Sequence, residues 1–116
     1  MQITYNPTHR TLVVELGGDL DHHSATAYRE RIDNEFRTSK ANHIVFDMSS
    51  LKFMDSSGIG LIMGRYRLVS PLGGRIILAG VSTQMDRLMS ISGIYKLVAW
   101  SETADAALKQ LERRSS

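Results

Sequence analysis

The sequence predicts an α/β fold on a mixed sheet of about five strands with about four helices. Three observations point to it. Five short runs are rich in β-formers or continuously apolar, helical-period apolar stripes separate them from Ser24 onward, and the first two runs flank a Pro7-containing turn. Alternating strands and helices require parallel pairing with right-handed crossovers, whereas a hairpin pairs antiparallel. A hairpin followed by parallel strands gives the mixed sheet.

Met1 to Asn6 and Arg10 to Gly17 read as the hairpin, the second strand carrying Thr11-Leu12-Val13-Val14. Gly17-Gly18 breaks the pattern, Asp19-Leu20-Asp21-His22-His23 reads as a polar loop, and Ser24 stands where an N-cap would. Ala25, Tyr28, Ile32 and Phe36 then form one apolar stripe. Asn42 to Met48 is a buried-type strand and Ser49 to Asp55 a loop. A second helix opens at Ser56-Ser57-Gly58, with Ile59, Ile62, Met63, Tyr66 and Val69 on its stripe and Arg65 and Arg67 turned elsewhere. Pro71 to Gly74 ends it, and Arg75 to Ala79 is the next strand. Ser82 caps a helix carrying Met85, Leu88 and Met89, stopped by Gly93. Ile94 to Trp100 is the last strand, and Ala104, Ala107, Leu108 and Leu111 mark the last helix.

The 116 residues suffice for one core, so a single domain over 1–116 is expected. Apolar residues make up 42% and charged residues 22%, a globular balance. No cysteine is present, which excludes disulfides and thiolate metal sites. No apolar run reaches bilayer length and no signal peptide is visible after Met1, so a cytoplasmic protein without membrane partners is expected. The net charge of +2 is scattered, with no basic stripe, which argues against nucleic acid as partner. The Arg113-Arg114 pair reads as a solvated helix end.

The segment Phe53-Met54-Asp55-Ser56-Ser57-Gly58-Ile59-Gly60 places two hydroxyls and a carboxylate at a helix N-terminus. Backbone N–H groups there lack intrahelical acceptors, so a phosphate would find donors. Two glycines in the first turn leave room for another protein to approach. The plainer reading is a capping role for Ser56 or Ser57, and a capping serine can also be phosphorylated. A serine hydrolase reading fails on the motif: Met54 and Gly58 flank Ser56 where Gly-x-Ser-x-Gly needs two glycines. Asp19, Asp21, His22 and His23 lack a metal-ligand spacing, and Gly58-x-Gly60 lacks a Walker ending. The methionines read as core filling, and Trp100 as core or rim.

Phe53 to Arg67 resembles the signature of the STAS domain in anti-sigma factor antagonists, most like the sporulation type that opposes the sigma-F anti-sigma factor. Gly18-Asp19-Leu20-Asp21-His22-His23 is similar to a second family segment, with Asp19 where the family often has Glu. The resemblance implies that Ser56 is the phosphorylated serine. It implies that Asp19, Asp21, His22, Asp55, Ser56, Ser57, Gly58 and Ile59 face an anti-sigma factor serine kinase. The unphosphorylated form would bind that kinase and release the sigma factor, phosphorylation would switch binding off, and a metal-dependent phosphatase would restore it. The chain would need no cofactor and would not itself be an enzyme. The alternative within the family is a regulatory subunit of a transporter or stress-signalling complex.

Overall fold

The computed structural model describes residues 1–115, with side chains through Glu112. Strands β1 (Gln2–Asn6) and β2 (Thr11–Leu20) lead into α1 (His22–Ser39). Then come β3 (His43–Met54), α2 (Ser56–Val69), β4 (Ile76–Ala79), α3 (Thr83–Ser92), β5 (Ala99–Ser101) and α4 (Ala104–Ser115). Single 3-10 turns lie at Ser70–Leu72 and Ile94–Lys96. The strands stand in the order β1-β2-β3-β4-β5, antiparallel between β1 and β2 and parallel thereafter. This is the mixed sheet that the hairpin and the alternation predict.

Successive strand residues feed opposite faces. Leu12, Val14, Ile44, Phe46 and Leu78 pack on one side against Ile32, Phe36, Ile62 and Met89 from α1, α2 and α3. Val45, Ile77 and Ala79 pack on the other against Ala107 and Leu111 of α4. Strands covered on both faces have no polar side to show, which is why Ile44-Val45-Phe46 reads as an unbroken apolar run. Each such large side chain contributes about 1.5–3 kcal/mol relative to exposure.

Several boundaries differ from expectation. The cap of α1 is Asp21, not Ser24: Asp21 Oδ1 accepts from the His23 and Ser24 N–H groups at 3.0 Å each. Ser24 is the third helical residue, and its hydroxyl oxygen accepts from the Asp21 N–H at 3.0 Å, closing a capping box. The supposed loop at Asp19 to His23 is thus a strand end, a cap and a helix start. Ser49 to Asp55 is not a loop either, since β3 runs on through Met54 beside β2. Register shifts between Glu15 and Gly17 and between Gly18 and Asp19 disturb the alternation, and Gly18 takes a left-handed φ of 67°. As a result only Met48, Leu51 and Met54 of this stretch are buried, a spacing that hides the strand. The last strand is only Ala99–Ser101, because a 3-10 turn after Gly93 tucks Ile94 into the core.

Arg65, expected to turn outward, is only 7% exposed. Its Nε lies 2.9 Å from Asp33 Oδ1 of α1, and its Nη1 donates to Leu61 O at 3.5 Å. The Nε–H vector misses the carboxylate oxygen, so the Asp33 contact is a close ion pair without an aligned hydrogen bond. That pairing is what permits a guanidinium between α1 and α2. The side chains of Arg113 and Arg114 lie outside the described residues.

Candidate functional site

β2 and β3 end side by side, with Leu20 paired to Met54. The next residue of each chain is an aspartate in extended conformation that caps a helix, Asp21 for α1 and Asp55 for α2. The Asp55 N–H donates back to Leu20 O at 3.3 Å, so the pairing reaches the cap itself. Two helix N-termini therefore open beside one another, each with the positive end of its dipole outward.

At the second opening, Asp55 Oδ1 accepts from the Ser57 N–H at 2.8 Å. Neither serine is the cap, contrary to the plainer sequence reading, because a carboxylate one residue earlier already holds that position. Ser56, the first residue of α2, is exposed, and Ser57 is half-buried. Asp19 and His22 are exposed as well, while Asp21 and Asp55 are half-buried. The bond from the Ser24 N–H holds the Asp21 carboxyl below its ordinary pKa. Burial opposes this, and the Ser24 hydroxyl, the His23 N–H and the His23 ring add to it. The first cap is thereby kept ionised.

Gly58 and Ile59 sit differently from the rest. Gly58 is buried, and a Cβ there would collide with the Met54 side chain and stand 3.0 Å from Leu20 Cδ2. Ile59 is 8% exposed and belongs to the main core. Both were expected as contact residues; in the structure they seat the start of α2 on the ends of β2 and β3, and their side-chain positions offer little surface.

Two features escaped the sequence reading. Phe53 is 47% exposed immediately before the site, since Met54 takes the inward position at the strand end. Between α1 and α2 lies a cleft of about 420 Å³ lined by His22, Arg29, Ser57, Gly60 and Arg67. The spacing of Gly60, Gly64 and Arg67 puts them on one face of a helix, a signal that could have shown this basic, low-walled cleft.

A five-stranded mixed sheet with an exposed serine at the mouth of its second helix defines a class: residues 2–107 match the STAS domain, and the chain belongs to that family. More particularly, it is 36% identical over 112 residues to the anti-sigma F factor antagonist of Paenibacillus polymyxa, covering 97% of this chain and 96% of the relative. Among solved structures it resembles the anti-sigma factor antagonist SpoIIAA in its unphosphorylated form, with a TM-score of 0.75 at 28% identity over 99% of this chain and 97% of that one. It is equally similar to the phosphorylated form of the Bacillus cell fate determinant SpoIIAA, with a TM-score of 0.74 at 32% identity over 95% and 97%. No helix among the described residues is long and apolar enough to cross a membrane.

Proposed function

We infer that this chain is an anti-sigma factor antagonist that works as a binding protein and not as an enzyme, and that Ser56 is its switch. The observation that carries the reading is the exposed position of Ser56 at the start of α2, with the capping bond taken by Asp55. The relatives that share this fold support it. The partner is an anti-sigma factor serine kinase, which transfers the γ-phosphoryl group of ATP to Ser56 Oγ and takes up the hydroxyl proton. A metal-dependent phosphatase reverses the modification. Both act in the cytoplasm, where ATP and the sigma factor are found.

Phosphorylation adds about −1.5 to −2 charge beside Asp55. The end of α2 favours an anion by about 0.3–1 kcal/mol, so the helix itself has no reason to melt. At a close protein interface an uncompensated buried charge costs about 3–5 kcal/mol, which is larger. The net effect is lost binding with the fold retained, on the order of a thousandfold in affinity. In this reading Asp19, Asp21, His22, Asp55 and Ser57 offer the partner its polar contacts, the exposed Phe53 offers an apolar one, and Gly58 and Ile59 hold the platform.

The test is to incubate the protein with its cognate anti-sigma kinase and ATP, map the product by mass spectrometry, and titrate the kinase with Ser56→Asp. Modification at Ser56 and much weaker binding of the variant are expected. Phosphate on another residue with Ser56 untouched, or equal affinities, would overturn the assignment.

A further inference from the structure

Apart from Ser56, a cleft of about 510 Å³ opens beyond the ends of β4 and β5, lined by Gly80, Val81, Asp86, Tyr95, Trp100 and Glu102. The carboxyl ends of parallel strands are where open α/β sheets place ligands. Trp100 pairs in register with Leu78 and so lies on the α3 side of the sheet, yet it is 61% exposed. An exposed indole beside a concave surface offers a face on which a planar cation can stack.

The charged groups of the cleft are of one sign. Asp86 comes from the first turn of α3 and Glu102 from the end of β5, and no lysine or arginine lines the space. The Tyr95 hydroxyl donates to Asp86 Oδ1 at 2.6 Å, fixing ring and carboxylate against each other. Burial first, and then the hydrogen bond and charge of Asp86, hold the Tyr95 phenol well above its ordinary pKa, so this bond persists across the physiological range. The second Asp86 oxygen and the Glu102 carboxylate are the acceptors that a ligand would meet.

We propose that this cleft binds a guanidinium group, stacked on Trp100 and sharing its N–H donors between Asp86 and Glu102. A planar, weakly hydrated cation suits an indole face, and its forked donors suit carboxylates. A compact ammonium keeps its water more tightly and cannot present two parallel donors. The same group can arrive on an arginine side chain of another protein or on a free small molecule.

Trp100 is the one tryptophan of the chain, so intrinsic fluorescence reads this cleft directly. The protein is titrated at fixed ionic strength with N-acetyl-arginine methylamide, with the neutral citrulline analogue of the same shape, and with agmatine. A saturable change with a Kd on the order of 1 mM is expected for the arginine compound, and at least about tenfold weaker binding for citrulline. Asp86→Asn and Glu102→Gln should each weaken the arginine compound several-fold while leaving the far-ultraviolet circular dichroism unchanged. Equal titrations by arginine and citrulline, or binding untouched by both substitutions, would overturn the proposal. Within a positive result, blocked arginine matching agmatine assigns the group to a protein side chain, and agmatine binding tenfold tighter assigns it to a free amine.

Discussion

Leu20 and Met54 are partners on the last rung of the parallel β2–β3 ladder, and each hands its chain directly to a helix-capping aspartate. The two junctions share one build: a buried strand end, a carboxylate cap, then an exposed first helical residue, His22 or Ser56. Strand pairing therefore sets where Ser56 stands relative to His22.

Removing the second cap should weaken the fold without erasing it. Asp55→Ala leaves the Ser57 N–H without its acceptor and should cost about 1 kcal/mol, whereas Asp55→Asn keeps a capping oxygen and should cost less. Urea midpoints read both, with the slope unchanged. An Asn variant as unstable as the Ala variant would contradict the capping role.

Gly58→Ala sets two effects against each other. Alanine favours a helix interior over glycine by up to about 1 kcal/mol. The new methyl would enter the space of Met54, and overpacking of this kind costs about 1–3 kcal/mol. Net destabilisation is expected in the natural background. In a Met54→Ala background the main obstruction is gone, only the 3.0 Å approach to Leu20 Cδ2 remains, and the same substitution should cost much less, which a double-mutant cycle measures.

Arg65 and Asp33 should show strong coupling. Burial pulls the Arg65 pKa down, the Asp33 charge opposes it and Arg29 adds to the lowering, so Asp33→Ala leaves burial of the guanidinium uncompensated. Breaking a fully buried pair costs about 3–5 kcal/mol. Asp33 is 23% exposed, and a loss of about 2 kcal/mol is expected after that screening. Arg65→Met placed in the Asp33→Ala background should recover much of it in chemical denaturation.

His43 makes stability depend on pH. Its Nδ1 accepts the Arg75 N–H at 3.0 Å, which an imidazolium cannot do. Burial first, then the Arg75 and Arg10 charges, hold its pKa below the ordinary 6.5. Just below pH 6.5 the unfolded chain takes up a proton that the folded one refuses, so stability rises with pH in that window. The contribution is full above the unfolded value and is lost as pH falls toward the folded one. His43→Asn keeps an acceptor but does not titrate, and its urea midpoint should fall less than that of the natural protein on acidification.

Much of the fold was legible because its signals are local. Ile44-Val45-Phe46 and the stripe Ile59, Ile62, Val69 report burial directly, and Gly93 marks a helix end through its left-handed φ of 78°. The end of β3 was not legible, since an extra β3 residue at each of two register shifts against β2 replaces the two-residue period with a three-residue one. Ile94 to Val98 imitated a strand because the turn is apolar at both ends, with Ile94 and Val98 buried in the core, while Leu97 between them stays exposed. Arg65 could not be placed without Asp33, a residue distant in sequence. At the site, the exposure of Ser56 followed from the motif, but the burial of Gly58 depends on Met54 and Leu20 lying beneath it.

β4 stops pairing with β3 at Asp47, while β2 accompanies β3 on to Met54 through two bulges and the left-handed Gly18. The mount that aims Ser56 is therefore a separate adjustable piece. Insertions or residue changes around Gly17 and Gly18 can tilt it by altering twist, while the layers packed on β4 keep their arrangement. A lineage of such proteins can change which surface it greets without redesigning the body that carries it.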